Sequence, residues 1–107
     1  MLRNGSYSAW YRTPLKEGTG IVVLNDGKIS GGDGGFAYAG TYFQNGDRFS
    51  AAITMWRHAP GQTSVFGIDD IDLTVTGTSA LTTASCTGTA RQAPGLTFEA
   101  TLIRMAD

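Results

Sequence analysis

Cysteine is nearly missing from this chain of 107 residues: Cys86 stands alone. No internal disulfide can form, which fits a reducing compartment. Histidine is as scarce, so any charge-relay site would have to use His58. An excess of one charge is also lacking. Eight Lys and Arg against nine Asp and Glu leave a formal charge of −1, and such a surface has no broad footprint for nucleic acid or an anionic membrane. No run approaches the roughly 18 apolar residues that span a bilayer, and Met1-Leu2-Arg3 does not open an apolar signal core. The expectation is a soluble, cytoplasmic protein that binds neither nucleic acid nor membrane. Leu, Lys and Glu are few, which disfavours helices. What the chain does have is glycine, 15 residues of it, with many Thr and Ser, and these suit short strands joined by tight turns. A chain of this length is one domain, residues 1–107, able to bury roughly two-thirds of its unfolded surface.

The organising stretch is GGDGGFAYAGTYFQNGDRF, residues 31–49. Its glycines let the chain bend sharply around Asp33. Phe36, Tyr38, Gly40 and Tyr42 then fall on one face of a strand, and Asn45-Gly46 turns it back. Before this stretch, Tyr7, Ala9 and Tyr11 alternate with Ser6, Ser8 and Trp10 in a first strand that Pro14 ends. Leu15 to Thr19 reads as a loop, Gly20 to Leu24 as a second strand, and Asp26-Gly27 as a two-residue hairpin turn into a short third strand, Lys28 to Ser30. Later, Phe49, Ala51, Ile53 and Met55 mark the inner face of strand five, and Ile71, Leu73 and Val75 that of strand six. Ala84, Cys86, Gly88 and Ala90 mark strand seven, Pro94-Gly95 the last turn, and Phe98, Ala100 and Leu102 strand eight. Eight such strands predict an all-β, antiparallel up-and-down barrel, because closure removes the exposed edges.

The inward residues of strand seven are small. Set against the large rings, they complete a filled core, which is the expected packing. The alternative is a cavity lined by Tyr7, Tyr38, Phe49, Ile53, Phe98 and Leu102, suited to a small apolar, lipid-like ligand.

Little here supports catalysis. His58 could pair with Ser64 and one of Asp69, Asp70 or Asp72, yet no nucleophile motif surrounds them, and Cys86 sits on an apolar face where burial makes a thiol inert. Strand alternation splits Asp70 and Asp72 from Asp69, so the three carboxylates do not converge on a metal. The glycine bend has no helix after it to make a phosphate loop. No enzyme activity, cofactor or metal is expected. Trp10, Trp56, Tyr11 and Phe43 are candidates for one outer aromatic patch, with Trp10 and Trp56 as a dimer or partner face.

NGSYSAWY (4–11), GTGIVVLNDGKISGGD (18–33), the Tyr38-Ala39-Gly40 step, SVFGIDDIDL (64–73) and the closing strand resemble the GrlR family of small bacterial regulators. The resemblance implies a calycin-like, lipocalin-like barrel acting as a homodimer. It also implies negative regulation of type III secretion, by binding a transcriptional activator protein rather than DNA. That family's repressor carries an exposed acidic turn between strands four and five. The matching residues here, Gln44, Asn45, Gly46 and Asp47, are the expected partner-binding turn, and only Asp47 keeps the charge.

Overall fold

The computed structural model describes residues 1–105. Its eight strands are β1 (Gly5–Thr13), β2 (Lys16–Asn25), β3 (Lys28–Gly32), β4 (Phe36–Asn45), β5 (Arg48–Arg57), β6 (Asp70–Ser79), β7 (Thr83–Ala90) and β8 (Ala93–Arg104). Each pairs antiparallel with the next, and β8 returns to β1, so the sheet closes into a barrel without a free edge. This is the expected up-and-down architecture, consistent with a calycin-like barrel. No helix among the described residues is long and apolar enough to cross a membrane.

Alternation sets the faces. Tyr7, Ala9 and Tyr11 of β1 are buried while Ser6, Ser8 and Trp10 are exposed, and Ile71, Leu73 and Val75 repeat the pattern in β6. Each large apolar side chain contributes about 1.5–3 kcal/mol by burial, and a one-residue slip would expel a strand's whole inner set, so the register is firmly held.

The turns differ from expectation in four places. Leu15 to Thr19 is not a loop: Lys16 already pairs with Thr13, and Thr19 with Trp10. The start of β2 lacks an apolar alternation because its inward positions are Gly18 and Gly20, whose side-chain space is filled by other rings. A Cβ on Gly18 would stand 2.8 Å from the Tyr11 ring, and one on Gly20 3.0 Å from the Tyr38 ring. β3 runs on to Gly32 and pairs there with Ala37. The β4–β5 turn centres on Gly46-Asp47, since Asn45 pairs with Arg48; Gly46, at φ 62°, supplies the positive φ of a primed hairpin turn. Pro94-Gly95 lies inside β8, and the turn is Arg91-Gln92, with a bulge between Gly88 and Ala90. Asp26-Gly27 turns as expected, at φ 49° and 84°.

Both barrel ends are covered. At one, Leu2 is buried, its N–H donating to Gln44 Oε1 (2.7 Å) and its carbonyl accepting from Gln44 Nε2 (2.9 Å). At the other, the long connection 58–69 inserts Val65 and Phe66, both buried, with Phe66 stacked on Phe98 at 5.7 Å. Ser64 Oγ shapes this plug, donating to the Ile68 carbonyl (2.6 Å) and accepting from the Phe66 and Ile68 N–H groups.

Candidate functional site: the barrel mouth and interior

Asp33, in the glycine bend, organises the mouth beside the 58–69 plug. Its Oδ1 accepts the N–H groups of Gly35 (2.9 Å) and Phe36 (2.8 Å), which fixes the bend locally. Its Oδ2 lies 2.7 Å from the Tyr11 hydroxyl and 2.5 Å from that of Tyr38, and the two hydroxyls are 2.7 Å apart. Two phenolic protons thus serve three short contacts. The cluster ties β1 and β4 to the bend that separates β3 from β4.

Its electrostatics oppose proton exchange near neutral pH. Burial works against a charged Asp33, but hydrogen bonds from Tyr38, Tyr11 and the Gly35 and Phe36 amides prevail and hold its carboxyl below the usual range. Burial first, then the neighbouring carboxylate, pushes the Tyr38 hydroxyl far up. Tyr11 is also raised, by burial and Asp33, against an opposing hydrogen bond with Tyr38. The phenols therefore stay protonated and the carboxylate ionised, with both carboxylate oxygens taken up by hydrogen bonds, an arrangement that builds structure and leaves Asp33 a weak base near neutral pH.

His58 lies 2.9 Å by Nε2 from the Asp33 carbonyl, so Nε2 carries the proton and donates. The ring braces the bend, while Ser64 braces the plug. Asp69 pairs with Arg57 (2.9 Å) and Asp72 with Arg91 (2.7 Å), so these carboxylates turn to cations rather than to one another.

The interior holds a cavity of about 60 Å³ with wholly apolar walls. Tyr38, Phe49, Ile53, Phe98 and Leu102 line it, as the cavity alternative expects. Tyr7 does not. It is fully buried and its hydroxyl donates to the Arg3 carbonyl (2.6 Å), which anchors it under the N-terminal segment. Sequence reasoning missed Tyr11 and Met55 as further walls. A signal for Tyr11 was present: two inward tyrosines, Tyr11 and Tyr38, each need a partner for a buried hydroxyl, and Asp33 is the acid nearest the bend. Cys86 also lines the cavity, and burial pushes its thiol up to about 11. Native protein at pH 7 should therefore leave a thiol-reactive disulfide dye almost unconsumed, whereas urea-unfolded protein should react at once; rapid labelling of the folded chain would contradict this burial.

The outer surface divides the aromatic patch. Tyr11 is buried, since it alternates with Trp10 rather than joining it. Trp10 and Trp56 are both outward, 55% and 38% exposed. However, β1 and β5 are four strands apart in a ring of eight, so the two indoles stand on different walls and form no common face. Trp10 itself is flanked by Thr19, Thr101 and the Arg12–Glu99 ion pair, but beside Ser8, two residues before it, stand the exposed Ile21 on β2 and Ile103 on β8. Phe43 is 68% exposed, on the outward side of the β4–β5 hairpin with Asn45. Of the expected partner-binding turn, Asn45, Gly46 and Asp47 are exposed. Gln44 is not available, being turned inward onto Leu2 by the same alternation. No family model matches the chain, and no curated protein matches it at a significant level. The functional reading therefore rests on the barrel's surfaces and interior.

Proposed function

We propose that this barrel is a non-enzymatic bacterial regulator of the GrlR type. It would act in the cytoplasm as a homodimer, restraining type III secretion by binding a protein activator. One observation carries the reading: large apolar side chains stand on the outer walls of a barrel whose ends are covered and whose interior has little room. Phe43, with Asn45, Gly46 and Asp47, supplies a protruding corner, an aromatic anchor beside one acidic group. Co-purification at native levels from the source cell extract tests the reading. A stoichiometric protein partner, lost with Phe43→Ala, supports it; recovery of the barrel alone counts against it.

For self-association, the Trp10 wall is the better candidate because Ile21 and Ile103 extend it. A two-fold interface uses the same patch on both copies. Trp10→Ala should weaken the dimer by about 2 kcal/mol or more, while Trp56→Ala leaves both fold and dimer intact. Sedimentation equilibrium of the two variants decides this, and the opposite ranking would move the interface to the β5 wall.

A second reading, a carrier of a small apolar ligand, is favoured by the cavity's unbroken apolar lining. Its volume is far below the roughly 300–1,000 Å³ of drug-sized ligand sites, so a lipid-sized guest would need the plug to lift. Native mass spectrometry of freshly purified protein should show a retained small mass if this reading holds.

A further inference from the structure

The internal cavity and a cleft at the mouth share two walls. Tyr11 and Met55 line both the cavity of about 60 Å³ and an open cleft of about 300 Å³ between β2, the glycine bend and the plug. Tyr11 is pinned through its hydroxyl to Asp33. Met55 is unbranched, with an adaptable thioether chain. The inner side is apolar throughout, whereas the cleft is rimmed by Thr19, Gln62 and Thr63, with Lys16 Nζ donating to Gln62 Oε1 (3.0 Å) and the Thr63 carbonyl (2.9 Å).

We propose that cleft and cavity are one binding site, with Met55 as a movable partition, for a slender neutral amphiphile. A short aliphatic end, or a single ring once Met55 swings aside, would enter the cavity, and one hydroxyl or amide would remain at Gln62 and Thr63. Volume motivates the joining, since the cavity alone, at about 60 Å³, is far below the ligand-pocket range, while the cleft of about 300 Å³ brings the site to its lower end. Charge selects the head group: Asp33 and Glu17 line the cleft and oppose an anion, and Lys16 opposes a cation. The inference rests on the reading that the interior takes a ligand, and adds the route and the chemical class.

Benzyl alcohol titrated into the full chain, followed by NMR, tests both levels. The methyl groups of Met55, Leu73 and Val75 and the amides of Thr19, Gly35 and Thr63 should shift together with one Kd. Met55→Ile, stiffer at its branch point, should slow ligand exchange at least tenfold. Interior shifts without cleft shifts would overturn the joined site and leave the interior reading standing. Cleft shifts alone would overturn the joined site, silence in both sets would overturn both readings, and unchanged exchange in Met55→Ile would remove Met55 as the partition.

Discussion

Gly88→Ala should cost the barrel a large part of its stability. Gly88 faces inward on β7, opposite Val75, and the direction a side chain would take is occupied by backbone. An added Cβ would overlap the Thr74 carbonyl oxygen and stand 2.8 Å from Val75 Cα. Overpacking against a mobile side chain costs about 1–3 kcal/mol. Here the obstacle is a strand held in register on both sides, by Ala51 and Ala52 of β5 and by Gly88 and Thr89 of β7. The expected loss is about 3 kcal/mol or more, against a total of about 5–15 kcal/mol for a domain, and it should appear as a urea midpoint lowered by about 1–3 M at the m-values usual for small proteins. Gly95→Ala is the control: it has open space around the added carbon and no positive φ, so its effect should stay within about 0.5 kcal/mol. Equal midpoints for the two variants would contradict the close β6–β7 approach.

Asp33→Ala should be the most damaging change at the mouth. It removes the acceptor for two tyrosine hydroxyls and two backbone N–H groups at once. Hydrogen bonds to a charged group contribute about 1.5–3 kcal/mol each, but the hydroxyls can fall back on each other and the bend amides on water. The net loss should be about 3 kcal/mol, and Asp33→Asn, which keeps an acceptor toward Gly35 and Phe36, should lose less.

The pH dependence has a definite sign. The folded pKa of Asp33 is depressed below its unfolded value of about 3.9. Its contribution is therefore complete above pH 4 to 5 and disappears as pH falls through the lower folded value. The stability gap between wild type and Asp33→Asn should stay flat from about pH 5 to 8 and narrow only in acid over that window. Tyr11 and Tyr38 act at the other extreme. Their raised values mean the unfolded chain releases phenolic protons first, so stability also declines above about pH 10. Urea titrations across pH measure both limbs, and a gap that widened in acid would refute the assignment of Asp33 as the ionised anchor.

Much of the barrel could be read from short stretches. The inward sets of β1, β4, β5, β6, β7 and β8 follow from period-two alternation, which is a property of the strand itself. Asp26-Gly27 announces its hairpin because a primed turn needs positive φ at those residues. Two of the misread turns have a related cause: Gly18 and Pro94-Gly95, residues that usually mark loops, lie inside strands, Gly18 because the Tyr11 ring fills its side-chain space and Pro94-Gly95 because the bulge between Gly88 and Ala90 shifts the turn to Arg91-Gln92.

Local stereochemistry thus determined, from the chain alone, which side chains face inward and that the strands form a meander able to close. Tertiary structure decided the rest. Trp10 and Trp56 part company only when β8 meets β1 and places their strands across the ring. Gln44 becomes a clasp for Leu2, and Phe66 a plug, only when the ends of the barrel exist to be covered. Tyr11 and Asp33 are 22 residues apart and meet through the packing of β1 against the glycine bend. Alternation and turn geometry are set by neighbours within a few residues, whereas these contacts depend on closing long loops, whose partners no local pattern names.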